Sequence, residues 1–249
     1  ESYLIVEHGG AYANSVIDYS KTKVEITGGT FVGMNPAEIK KFNQTADNKL
    51  DLTTEPTTDG CAEGFKPVDN GDGTFGVEVD PAYGKAAQIG DVYYETFDDA
   101  FAAAQNGETV EILSTVVLDA DKTIDFNNVK VTAAKGIVPA FRITNGATVT
   151  VKNANLDTAA YNFILGASDD SSEGNLIIES GKFDAGITVA SVTKGTLTVK
   201  GGEFSVKESA YGSTYLLNCI DDNYRNGTAK IVVTGGTFKG FNPADNAAE

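Results

Sequence analysis

The chain has 249 residues, 35 of them acidic and 19 basic, for a formal net charge of −16. That balance argues against a nucleic-acid or anionic-membrane partner, because gripping phosphate takes clustered Lys and Arg. At 41% hydrophobic residues the chain is too apolar for disorder, yet no apolar run reaches the roughly 18 residues of a membrane span.

Residues 1–38 read as the terminal coil of a preceding β-helix-like module, so a leader and an anchor are expected to lie outside the chain. Residues 27–31 spell TGGTF, and residues 234–238 spell it again, 207 positions later. The match continues into Gly33-Met34-Asn35-Pro36-Ala37 against Gly240-Phe241-Asn242-Pro243-Ala244. His8 lies in a loop beside Gly9-Gly10 with no second His or Cys nearby, which is a solvated position rather than a metal ligand.

Residues 39–84 read as a linker plus a β-hairpin. Pro36, Pro56 and the Thr-rich run 53–58 mark a loose connection, with a helical turn at Ala37–Lys41. The hairpin has arms at 65–68 and 74–79 around Asp69-Asn70-Gly71-Asp72-Gly73, since Asn-Gly and Asp-Gly are the strongest short hairpin signals. The same five residues resemble the acidic start of a calcium loop, but a strand begins at once at Thr74, so a plain turn is the reading.

Residues 85–249 read as one capped module. Val92-Tyr93-Tyr94 forms a strand, and a helix runs from Thr96, its N-cap, to Gln105. Asp98 and Asp99 occupy its positive first turn. Phe97, Ala100, Phe101 and Ala104 share one apolar face, a natural lid over the open end of the strands beyond it.

From Val110 onward the chain is a string of short strands with alternating apolar residues: Val149/Val151, Leu176/Ile178, Leu197/Val199 and Ile231/Val233. Alternation puts each pair on one side. A Gly-containing turn and an aromatic come next, giving Phe183, Phe204, Phe238 and, in the first copy, Phe31. Val129–Val131, 20 residues before Val149, is placed in the same column as a fainter member. Steps of 21 residues (176 to 197) and 34 residues (197 to 231) suggest stacked units, each burying its face against its neighbours. The fold expected is all-β: a right-handed parallel β-helix with an N-terminal capping helix and a preceding hairpin linker. An antiparallel sandwich with coincidental Gly-Gly turns is the alternative.

The longer step predicts a loop over 208–228. Tyr211, Tyr215, Tyr224 and Arg225 in it are residue types favoured at interfaces, so they are the candidate ligand contacts. Catalysis in a β-helix would need two or three carboxylates on adjacent coils, stacked on a strand face, or calcium with an Arg or Lys base. The strand-face positions are instead Thr150, Ile177, Thr198 and Val232. The acidic pairs Asp169/Asp170 and Asp221/Asp222 fall on predicted loops; if neighbouring loops met, they could hold a calcium ion or act as an acid pair, whereas solvated loop positions are the plain reading. No other cofactor is expected and no catalytic residue is assigned. Lys152, Lys182, Lys200, Lys230 and Lys239 read as solubilising edge charges. Cys61 and Cys219 make no disulfide framework and are read as free thiols.

The order AEGFKPVDNGDGTF, QIGDVYYETFDDAFAAAQNGETVEIL, strands, and GGTFKGFNPAD resembles the pectin-lyase-like β-helix modules of large secreted or surface, adhesin-like proteins of Gram-positive gut bacteria and their phages. The resemblance spans 62–249 and 24–38. It implies a non-enzymatic extracellular module: a rigid scaffold or spacer, adhesive through its loops. Its partners would be a glycan or protein at a cell or virion surface and neighbouring modules of the same chain. A carbohydrate-active β-helix enzyme and a virion fibre or decoration protein are the alternatives.

Overall fold

Val149, Leu176, Leu197 and Ile231 stand in one file, each in register with the next on a neighbouring parallel strand. The computed structural model that places them describes residues 5–8, 23–44, 50–51, 57–169, 171–207 and 215–244. The chain divides into two units, Glu1–Gly84 and Lys85–Glu249.

The second unit is built from three parallel sheets, visited in strict rotation. Sheet I holds Thr109–Ile112, Lys130–Ala133, Ala154–Asp157, Gly181–Ala185, Glu203–Val206 and Thr237–Phe238; sheet II holds Val116–Leu118, Phe141–Ile143, Tyr161–Leu165, Thr188–Val192 and Leu217–Cys219. Sheet III holds Lys122–Asp125, Thr148–Lys152, Asn175–Ile178, Gly195–Val199 and Ala229–Val233. Each pass of the chain therefore lays one strand on each sheet before returning to sheet I. No strand of a pass can bury its apolar face alone; the strands of the pass above and below supply the missing hydrogen bonds and contacts.

The inward residues are those that alternation selects. Val149, Val151, Leu176, Ile178, Leu197 and Val199 are fully buried. In sheet I, Val110, Val131, Leu156, Phe183, Phe204 and Phe238 form one file. Its aromatic end is a true stack: Phe183 to Phe204 is 5.0 Å between ring centroids at 6°, and Phe204 to Phe238 is 4.9 Å at 10°. Phe241 closes it at 6.0 Å.

Helix α1, Phe97–Ala103, is shorter than expected but begins as read, with Thr96 Oγ1 accepting the Asp99 N–H. Phe97 and Ala100 are buried, and Phe101 and Ala104 pack on the same core. Phe97 meets Phe141 edge-on at 5.2 Å and Phe101 meets Phe126 at 5.5 Å, so the helix covers the core at its first pass. Beside it, Ala87–Ile89 and Val92–Tyr94 extend sheet I with antiparallel pairing.

In the second unit, two placements differ from the sequence reading. Val131 is not in the Val149 column but in the Leu156 file of sheet I. Ile124 holds the sheet III position, opposite Val151. The sheet III step there is 27 residues (122 to 149), so counting back about 20 lands on the wrong sheet. The 208–228 loop is also broken up: Leu217–Cys219 is a sheet II strand, and Asp221–Arg225 forms a short helix, α2.

In the first unit, Thr30–Val32, Thr74–Val79 and Phe65–Asp69 form an antiparallel sheet in that order. The turn works as its residues dictate. Gly71 and Gly73 take φ of +76° and +84°; Asp69 accepts the Gly71 N–H at 2.8 Å, and Asp72 accepts the Thr74 N–H at 3.0 Å. The Thr74 hydroxyl, 2.6 Å from Asp72, holds that carboxyl below its ordinary range. Ile39–Gln44 is a strand rather than a helical turn, paired with Val6–His8 on one side and Thr57–Thr58 on the other. Ile39 is fully buried, and its β-branched side chain suits a strand. His8 therefore ends a strand rather than lying in a loop.

Candidate functional site

Where the chain leaves sheet III for sheet I, every pass must turn sharply against the pass before it. Ala154, Gly181, Gly202 and Gly236 occupy this corner in successive passes. A Cβ on Gly181 would lie 2.4 Å from the Ala154 nitrogen, and its φ is +135°, so both space and backbone demand glycine there. Asn153 serves the earlier pass at φ +48°, a conformation Asn tolerates. Its side chain bonds Asp125 Oδ1 at 2.9 Å, and its N–H bonds Ser180 Oγ at 2.9 Å.

A row of missing side chains leaves a groove. Beside it, the outward file of sheet I rises as a wall: Asn155, Lys182, Glu203 and Thr237, in register. The groove has a volume of about 760 Å³, and Asn128 and Ser180 complete its polar lining. It crosses at least four passes, roughly 15–20 Å at strand spacing. Hydrogen-bond donors and acceptors dominate, with one charge of each sign. That lining suits a long polar ligand lying along the stack. It offers a single carboxylate, Glu203, and so no acid–base pair.

Further along the same outer face, Asp157 ties three passes together. Lys130 of one pass reaches it at 3.0 Å, and Lys207, 50 residues away, pairs with it from the opposite side. The Lys207 hydrogen bond, followed by that of Lys130, holds the Asp157 carboxyl below its ordinary range. Lys152 and Lys200 likewise converge on Glu179 at 3.3 and 3.6 Å.

The candidates read from sequence lie elsewhere, beside the last sheet II strand and in the connections from sheet II to sheet III. Tyr215 precedes the last sheet II strand and is 44% exposed. Asp221, Asp222, Tyr224 and Arg225 share α2, where Arg225 reaches Asp221 at 3.7 Å and Asp222 at 3.3 Å. α2 is held to the previous pass by Asn223, whose side chain donates to the Thr193 carbonyl at 2.6 Å. Asp169 belongs to the equivalent connection two passes earlier. It accepts the Ser171 N–H at 3.0 Å, and its hydrogen bonds with Ser171 hold its carboxyl low. The Thr193-Lys194 turn of the intervening pass separates the two acidic positions. Tyr211 and Asp170 lie outside the described residues. Among the described residues, no three His, Cys, Asp or Glu side chains converge as a metal-ion site would require.

Cys61 and Cys219 are free thiols, each pushed up to about 11, chiefly by burial. Both thiols are therefore protonated near neutral pH. No described helix is long and apolar enough to cross a membrane.

Sequence reading missed the groove. Its signal was the Gly-Gly pairs themselves: a corner without side chains leaves a channel wherever polar residues follow on one face. No protein-family model, curated protein or solved structure matches the chain.

Proposed function

We infer that the Lys85–Glu249 unit is a right-handed parallel β-helix and that the chain serves as a rigid, non-enzymatic scaffold at an extracellular, cell or virion surface. The observation carrying this reading is the rotation of strands through three parallel sheets, with one file of core residues per sheet. Strand–crossover–parallel-strand connections are right-handed in nearly all proteins, which gives the hand. A stack of this kind resists bending because each pass is hydrogen-bonded to the next along three faces.

The acidic composition and the resemblance to surface modules support the location. The polar groove along sheet I and the exposed Tyr215 and Tyr224 are its contact surfaces, the groove suited to a glycan strand or an extended polypeptide. Calcium has no part in this reading. Asp169 is occupied by its own turn, and Asp221 and Asp222 are paired with Arg225.

The test is incubation of the full chain with uronate-containing and neutral polysaccharides. New reducing ends and unsaturated products are then measured. A scaffold yields neither above the buffer control. Product formation that falls on Asp221→Asn or Glu203→Gln would replace the scaffold with a lyase or hydrolase.

A further inference from the structure

The two ends of the second unit differ. At the α1 end the inward residues Val110, Ile112 and Phe126 are fully buried, with Phe97 and Phe101 of the helix packed on the same core. At the far end Ile231, Val233 and Phe238 hold the corresponding inward files but are only partly buried. A stack that ends this way exposes apolar core and a strand edge together, and needs a cover.

The last strand of sheet III, Ala229–Val233, pairs with Gly195–Val199 alone. Thr228 accepts the Gly195 N–H, and Thr234 donates to the Val199 carbonyl, both at 2.8 Å. Every second residue of a parallel strand bonds the same neighbour, so Lys230 and Val232 also face the earlier pass. Ala229, Ile231 and Val233 turn their N–H and C=O groups to the open edge, and among the described residues no group bonds to them there.

That edge is self-complementary. Turned about a two-fold axis at Ile231, it meets a second copy of itself running antiparallel. Ile231 then exchanges both hydrogen bonds with Ile231 of the second copy, Ala229 with Val233, and Val233 with Ala229, so every free group on both edges is paired. Lys230 falls opposite Val232 of the second copy, so this edge lysine meets no like charge directly across.

We propose that this edge is a dimer interface: two copies of the chain join tail to tail through Ala229–Val233, and sheet III runs on from one copy into the other. The proposal rests on the stacked reading of the second unit. The open end presents one pass of 22 residues (217 to 238), within the roughly 20–30 residues a side of a standard interface. Ile231, Val233 and Phe238 gain the apolar cover that α1 gives the other end. The contact is isologous, so it closes at two copies, and it uses no strand edge that is already paired. The dimer carries two sheet I grooves, a bivalent surface for a ligand with repeating units.

Sedimentation of the full chain from about 1 to about 500 µM should show a monomer–dimer equilibrium and nothing larger. Val232 lies in the outward file beside Thr198, so a single copy tolerates charge there. Val232→Glu sets a carboxylate opposite Lys230 of the second copy, twice by symmetry, and should tighten the dimer roughly fivefold; Val232→Lys should loosen it roughly fivefold. General repulsion predicts the reverse order, because the chain carries a net charge of −16 and lysine lowers it. Trapping reads the register. With Cys61→Ser and Cys219→Ser in both chains, Lys230→Cys and Val232→Cys chains should form a mixed disulfide in excess over either homodimer. Opposed Cα atoms lie about 4.5 Å apart and diagonal ones about 7–8 Å, beyond ordinary disulfide reach.

A monomer at every concentration, a larger assembly, or a tighter dimer with Val232→Lys overturns the proposal. Amide exchange in the same samples separates it from the stacked reading. Slow exchange at Leu176 and Leu197 without a dimer removes the interface alone. Slow exchange at Ile231 and Val233 in a monomer also removes it, because the chain then covers its own edge. Fast exchange at Leu176 and Leu197 removes the stack itself.

Discussion

Phe204 has a ring on each side, Phe183 at 5.0 Å and Phe238 at 4.9 Å, and is 2% exposed. Truncation to alanine leaves a cavity between two rings that their own passes hold apart, so the site cannot collapse. Phe204→Ala should therefore lower unfolding free energy by about 3–5 kcal/mol, read by denaturant titration of the full chain. A loss below about half a kcal/mol would mean that the rings do not share a packed interior. At this scale the sequence is most legible. Alternation assigns Leu176, Leu197 and Phe204 inward because a strand leaves each side chain only two choices of face. It cannot show which residue opposes which across passes. That register depends on loop lengths between sheets, which vary freely at the surface, and it is why counting back from Val149 misplaces Val131.

Strands of sheet I are tied across passes by Asp157 as well as by backbone bonds. Its carboxyl sits lower in the folded chain than in the unfolded one, so the ionised form is the one that folding favours. The stabilisation is fully present above the unfolded carboxylate value, near pH 4, and fades as pH falls through the lower folded value. Thermal unfolding scanned from pH 7 to pH 2 should show wild-type stability dropping on the acid side. In Asp157→Asn that share of the drop should be absent, with stability at pH 7 lower by about 1 kcal/mol. An unchanged acid slope would separate Asp157 from Lys130 and Lys207. Elements with local signals are legible in sequence: α1 from Thr96, Asp98, Asp99 and its apolar face, and the hairpin from its Asn-Gly and Asp-Gly turn. Leu217–Cys219 and α2 are not. Three residues and five residues carry too little periodicity to stand out from a polar loop, and only pairing with Thr188–Val192 makes the first a strand. The groove escapes for a related reason. Asn155, Lys182 and Glu203 are unremarkable singly and become a wall only when register brings them into one file.

For the molecule as a whole, the proposed β-helix turns a chain of weak local preferences into a stack whose parts support one another. The first unit follows no such rotation among its described residues; there, one TGGTF strand runs antiparallel to a hairpin, while the other runs parallel to the pass before it. The same pentapeptide thus serves two pairings, and tertiary context decides between them. The central claim is that passes far apart in sequence lie one above another at strand spacing. Thr123, Thr150, Ile177, Thr198 and Val232 form one outward file in sheet III. Spin labels at positions 123 and 232, with Cys61 and Cys219 replaced by Ser, report the span of that file directly. Four steps at about 4.8 Å predict a single narrow distance distribution near 20 Å. A broad distribution, or one centred beyond about 30 Å as in an expanded chain, would contradict the stack.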